Sequence, residues 1–123
     1  MSYLIFILLF IKHTIVDFCW QTDEEIANKG KYGNLTGIMH SYKHFMGTYI
    51  ALVCLVWTSS LNPDILVGLG LLDGVVHYHV DYIKKRFGNP DPSQKQHWRH
   101  FGYDQLAHLL TYTLIVYLIM LWR

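Results

Sequence analysis

Eight ionisable side chains recur at a fixed offset. When the chain is shifted by 64 residues, His13 falls on His77, Asp17 on Asp81, His40 on Asp104 and His44 on His108. Within each repeat these residues come in pairs four positions apart: His13 with Asp17, His40 with His44, His77 with Asp81, and Asp104 with His108. That spacing puts both members of a pair on one helix face, about a turn apart. Five imidazoles and three carboxylates so arranged resemble the donor sets that facing helices use to hold a pair of ions in a four-helix bundle. Eight donors exceed what one tetrahedral or octahedral ion uses. The expected centre is therefore two divalent ions, each drawing ligands from both repeats, with one or two bridging carboxylates. Nitrogen and oxygen donors without thiolate favour zinc, with manganese or iron as alternatives.

Taken singly, each of these residues has an ordinary explanation. A lone histidine in an apolar helix is more often a hydrogen-bonded packing residue than a ligand, and a carboxylate near a helix end can reach the headgroups. For all eight together that account is poor, because a charge at a bilayer centre costs about 2.5 to 3.5 kcal/mol on insertion scales and such residues normally mark function. Asp73 lies one turn before His77 on the same stripe and matches Leu9 in the other repeat. A carboxylate without a repeat partner is a candidate general base, an extra ligand, or a group that orients an imidazole; its plain role is to fill a polar gap beside Gly70 and Gly74.

The elements that must position these groups read as apolar helices. Apolar residues make up 52% of the chain and charged residues 15%. Four stretches, Tyr3 to Trp20, Leu35 to Trp57, Ile65 to Ile83 and Tyr103 to Trp122, reach or approach the roughly 20 residues that span a bilayer. The expected fold is all-α: a four-helix transmembrane bundle of two parallel helical-hairpin repeats, about 1–59 and 65–123, forming one domain with no room for a soluble one. In an up-down bundle, all eight repeated residues then lie in the helix halves at one membrane face. The first stretch lacks a basic n-region and a small-residue cleavage site and carries Lys12, His13 and Asp17, so it reads as retained.

Charge sets the expected orientation. Lys29, Lys31, Lys84, Lys85, Arg86, Lys95 and Arg99 lie in or beside the two longer loops, with Lys12 and Lys43 toward the same side and only Arg123 opposite. The positive-inside tendency then makes both loops cytoplasmic and both termini external. The linker Ser59 to Asp64, broken by Pro63, is external. Trp20 and Trp98 on one side, and Trp57 and Trp122 on the other, suit interfacial belts. Cys19 and Cys54 fall near opposite faces, which argues against a disulfide, and both read as small buried apolar residues.

The two loops differ. A short helix begun by Thr22 or Asp23 is expected in the first. The second, Phe87 to Gly102, carries Lys95, His97, Trp98, Arg99 and His100, which suit an anionic headgroup or phosphate beside the ions, or an ordinary membrane-surface loop.

The ordered set His13-x3-Asp17-Phe18-x2-Gln21-Thr22-Asp23, Lys29, His40-x3-His44, His77-x3-Asp81-Tyr82-x-Lys84 and Asp104-Gln105-x2-His108 resembles an uncharacterised family of small bacterial and phage membrane proteins. More loosely, the chain is similar to small membrane-bound metal-dependent hydrolases. The resemblance spans nearly the whole chain and implies a bacterial inner-membrane setting. Beside the eight metal candidates it singles out Gln21, Lys29, Lys84 and Gln105 as expected substrate-binding residues.

Three function classes follow. The first is a metal-dependent hydrolase in which paired ions act on a phosphoester or lipid-linked substrate. The second is an ion or proton transporter, disfavoured because the outer helix halves are almost purely apolar and offer no exit path. The third is a di-iron redox protein. The bilayer itself is the expected partner, and a homo-oligomer is compatible with the pattern. Nucleic-acid modules, serine triads, His-Glu-x-x-His and phosphate-binding glycine loops are absent from the sequence.

Overall fold

A computed structural model describes the backbone of residues 2–58 and 61–122 and the side chains of residues 3–53 and 61–122. Within these bounds the chain is helical: α1 (Ser2–Thr14), α2 (Asp23–Asn28), α3 (Leu35–Thr58), α4 (Pro63–Phe87) and α5 (Lys95–Leu121). Local chemistry explains the ends. Thr22 and Glu25 form a reciprocal capping box that starts α2, and Asn62 caps α4 with Pro63 at its first position, where the missing N–H has no helical partner to lose. The helix begun near Thr22 matches the expectation. By contrast, α5 begins at Lys95 rather than near Tyr103, so the second half of the expected loop Phe87 to Gly102 is helix.

Contacts join α1 to α3, α3 to α4, α4 to α5 and α5 back to α1, giving a four-helix ring against which α2 packs on α3. The α3–α4 seam is the most extensive. Small residues allow it. A Cβ on Gly70 would sit 2.9 Å from the Phe45 ring and 3.1 Å from its carbonyl oxygen, and one on Gly74 would sit 3.2 Å from the Ser41 carbonyl oxygen.

The bundle has one apolar end and one polar end. Ile5, Leu9, Leu52, Leu61, Leu66, Leu69, Ile115 and Ile119 fill the first. The second buries Lys12, His13, Asp17, Glu25, His40, His44, Asp73, His77, Asp81, Asp104 and His108. Meanwhile Leu4, Ile7, Ile11, Ile38, Met39, Ile50, Leu71, Val75, Leu106, Leu110 and Leu114 are exposed. The interior is thus shared between an apolar core and a buried polar cluster, while many large apolar side chains also face outward.

Three expectations are corrected. Among the described residues only α5 is long and apolar enough to cross a membrane by length and composition, so four spans are not met by that measure. The reason is that α1 has only 13 residues before its helix changes type, and the aspartates and histidines of α4 lower its mean hydropathy. Lys12, counted with the loop-side cations, instead points into the bundle and is 7% exposed. Cys19, expected to be buried, is exposed, because the helix turns its Val16–Asp17 side inward there. The expectations for Cys54, Trp57 and the Ser59–Ser60 part of the linker lie outside the described residues.

Candidate metal centre

The centre begins at an irregular turn. From Ile15 to Cys19 the first helix widens to π geometry, burying Val16 and Asp17 side by side. Such single turns recur at functional sites because they shift one side chain out of the α-helical register. Asp17 consequently points into the bundle, where four imidazoles surround it. His40 Nε2 and His44 Nε2 each lie 3.0 Å from its Oδ1, His77 Nε2 lies 3.3 Å from the same oxygen, and His13 Nε2 lies 3.3 Å from Oδ2.

From α3, α4 and α5 the imidazoles of His44, His77 and His108 form a stack, with ring centroids 3.3 Å and 4.1 Å apart. Carboxylates edge it. Asp81 Oδ2 is 3.2 Å from His77 Nε2 and 3.4 Å from His40 Nε2, and Asp104 Oδ1 is 3.4 Å from His108 Nε2. Two overlapping groups have donor atoms close enough to hold a metal ion: Asp17, His40, His44 and His77, and His77, Asp81 and His108. The first draws on both repeats, whereas the second belongs to the second repeat alone.

Both ring nitrogens of His77, His108 Nε2 and Asp104 Oδ1 are buried without a hydrogen-bond partner among the described residues, whereas Asp81 Oδ2 is taken by Lys29 Nζ. Buried polar atoms are normally paired, since an unmade bond costs about 1 to 3 kcal/mol. Nitrogen and carboxylate lone pairs converging in this way suit a divalent ion.

Not all expected ligands stand alike. His13 has Nδ1 2.9 Å from the Tyr112 hydroxyl and Nε2 3.3 Å from Gln105 Oε1, so it lies beside the two groups rather than in them. Asp104 accepts on Oδ2 from Lys84 Nζ at 2.8 Å and from Gln105 Nε2 at 3.0 Å. Asp73 lies in neither group. It is 1% exposed, pairs with Lys12 and accepts from Thr48 Oγ1. Lys12 Nζ is also 3.0 Å from His44 Nδ1 and 3.3 Å from the Tyr112 hydroxyl.

The four expected substrate-binding residues divide as well. Lys29 Nζ sits 2.7 Å from Asp81 Oδ2, and Lys84 and Gln105 are held on Asp104 as above. Gln21 faces a cavity with Lys29 and Lys84, its Oε1 unpartnered.

Four further residues shape the centre without belonging to the repeat pattern: Lys12, Glu25, Thr48 and Tyr112. Glu25 Oε1 takes Lys43 Nζ at 2.7 Å, and Oε2 accepts from the Thr22 backbone N–H and lies 3.8 Å from His40 Nδ1. Burial opposes ionisation of Glu25, yet the Lys43 ammonium and the Thr22 N–H outweigh it and hold the carboxyl below its usual range. A lone lysine in an apolar run and a Thr-x-x-Glu capping box were the available signals for Lys12 and Glu25.

Residues 5–123 match the family described as Protein of unknown function (DUF3307). No curated protein and no solved structure matches the chain.

Proposed function

We propose that this chain, which belongs to the DUF3307 family of proteins of unknown function, is a membrane-embedded, metal-dependent hydrolase acting on a phosphoester. The observation that carries the reading is the set of unpartnered, converging nitrogen and oxygen atoms around His77. In this reading Asp17, His40 and His44 hold one divalent ion, Asp81 and His108 hold a second with Asp104, and His77 lies between them. Zinc is favoured by the donor set. When bound, such ions supply Lewis acidity and make water a better nucleophile at neutral pH. The chain's own residues supply the rest: Lys29 and Lys84 bring positive charge to the edge of the centre, while Asp73, which reaches it only through Lys12, positions the His44 ring.

The membrane setting rests on the large apolar side chains that face outward and the ionisable cluster that faces inward. Leucine, isoleucine and methionine side chains lie on the outside of all four long helices, and Lys12, Asp73, Asp81 and Asp104 are turned inward, while Asp64, Lys85, Arg86, Lys95 and Arg99 are exposed near the helix ends. Such a surface suits lipid, and intramembrane ionisable groups normally face a bundle interior. Multi-pass insertion in a bacterial inner membrane is part of the proposal.

A second reading, ion or proton transport, gains from one feature: Lys12, Asp73, Thr48 and Tyr112 extend the polar interior beyond the centre. Buried Leu9, Leu52, Leu66 and Ile115 then close the path, which favours hydrolysis.

Elemental analysis of the purified full chain tests the proposal, together with phosphate release from a phosphatidic acid substrate. About two ions per chain, with turnover abolished by a chelator and restored by zinc, is the expected outcome. A metal-free protein that carries protons into liposomes would replace hydrolysis with transport.

A further inference from the structure

A cleft beside α4 and α5 has two chemically opposite halves. One is a cavity of about 270 Å³ lined by Lys29, Lys84, Lys85, Asn89, His97 and His100, with no carboxylate in its wall. The other, about 350 Å³, runs between α4 and α5 and is lined by Val80, Ile83, Phe87, Tyr103 and Ala107. Lys84, Gly88 and His100 belong to both, so the halves are continuous. Asp104 lies in the wall of the apolar half, one helical turn from His108.

We infer that this cleft binds one amphipathic molecule, a phosphate ester on a hydrocarbon chain, with the phosphate in the lysine half and the chain along the apolar half. The inference deepens the hydrolase reading and rests on it for what happens to the phosphate. Charge complementarity selects the headgroup: no carboxylate lines that half, Lys85 has no acidic partner among the described residues, and Lys29 and Lys84, paired with Asp81 and Asp104, add donors at its inner edge. The apolar half selects the chain. Ile83, Phe87 and Tyr103 are 56%, 70% and 68% exposed, an apolar wall that free phosphate would leave uncovered and a hydrocarbon chain would cover. The junction at Lys84 sets the ester beside the centre, because Lys84 is held on Asp104.

The test uses the full chain in mild detergent and counts bound molecules by native mass spectrometry. The probes are dioleoyl phosphatidic acid, phosphatidylcholine and inorganic phosphate, with metal content measured on the same samples. Lys85→Glu reverses charge at an exposed position of the lysine half, with Lys85→Gln as the milder form, and Ala107→Phe fills the apolar half. The expected result is preferential retention of phosphatidic acid, reduced about tenfold by each type of substitution with metal content unchanged. Inorganic phosphate that binds as well as phosphatidic acid, and does so in Ala107→Phe, would show a free-phosphate site and overturn the inference. So would phosphatidic acid retention that neither substitution changes. Retention as expected in a wild-type protein without metal would support the cleft assignment and sink the hydrolase reading alone.

Discussion

Lys29 and Asp81 meet at the boundary between the loop and the bundle, with Nζ 2.7 Å from Oδ2 and both side chains largely buried. Lys29 is the C-cap of α2 and Asp81 a member of the His77–His108 group, so one ion pair ties the short loop helix to the centre. The same carboxylate cannot serve a lysine and a metal without competition between them.

That competition is measurable. Lys29→Met removes the counter-charge while keeping most of the aliphatic bulk. In chelator-treated protein it leaves Asp81 facing only imidazoles and should cost about 3 kcal/mol, the scale for breaking a buried pair. With metal added, the ion replaces the lysine, and the loss should shrink to about 1 kcal/mol or less. Thermal unfolding with and without zinc gives both values; equal losses would remove Asp81 from the ligand set.

Lys12 and Asp73 form the second buried pair. Read from the sequence alone, Asp73→Asn separates catalysis from folding, removing a base with little effect on stability. The structure changes that expectation, since neutralising Asp73 leaves Lys12 uncompensated at 7% exposure. Asp73→Leu and Lys12→Met should each destabilise by about 3 to 5 kcal/mol, with Asp73→Asn as the milder form, and the double variant Lys12→Met/Asp73→Leu by much less than the sum of its two singles. Additive losses in the double-mutant cycle would show that the two groups are not coupled.

The legible part of this protein was what periodicity can carry. A 64-residue offset and i, i+4 spacing are enough to group His40, His44, His77, Asp81 and His108, because helical geometry makes those spacings a shared face. Lys12 was illegible for a physical reason: its position beside His13 looks like the end of an apolar helix, and only the packing of α1 on α3 decides whether a lysine snorkels outward or turns inward. A backbone event was equally hidden. Nothing in Ile15-Val16-Asp17-Phe18-Cys19 announces a π-turn, yet that turn shifts the register in which Asp17 and Cys19 point. The start of α5 is not legible because the polar run Lys95 to Gly102 looks like a loop: only Lys95, Gln96 and Arg99 in it are good helix formers, and Gly102 disfavours a helix.

Two glycines of α4 should respond oppositely. Gly70→Ala presses a methyl group against the Phe45 ring at 2.9 Å and its carbonyl oxygen at 3.1 Å, so it should part α3 from α4 and cost about 1 to 3 kcal/mol. Gly68 has open space where its Cβ would stand, and Gly68→Ala should gain up to about 1 kcal/mol from helix propensity. Detergent-denaturation midpoints distinguish them. A Gly70→Ala protein as stable as wild type would mean that α3 and α4 are not in close contact at Gly70.

The membrane reading makes a topological prediction. Single cysteines introduced at Glu24 and Gln96, in a Cys19→Ser/Cys54→Ser background, should be labelled by an impermeant maleimide only after the cytoplasmic side is opened, and a cysteine at Asn62 should be labelled in intact cells. Labelling of all three in intact cells would overturn the four-span reading, leaving α5 as the one candidate span among the described residues.

The imidazoles should not be equivalent, and their differences are the sharpest check on the centre. His44 and His108 flank His77 in the stack and each belongs to a group with converging donors, so His44→Ala and His108→Ala should each remove about one ion per chain. His13 differs because its two nitrogens face Tyr112 and Gln105, at 2.9 Å and 3.3 Å, and because it approaches Asp17 through Oδ2 rather than the oxygen shared by His40, His44 and His77. A group that orients a ligand from outside typically alters affinity by about 10- to 100-fold without changing the number of ions. His13→Gln should therefore keep full metal occupancy at high zinc and lose it at lower zinc than the wild type tolerates, a difference that equilibrium dialysis over a range of free zinc resolves. If His13→Gln lost a whole ion even at saturating zinc, His13 would rank with His44 as a ligand. The Tyr112 and Gln105 contacts would then belong to a metal-free arrangement that rearranges when the ion binds.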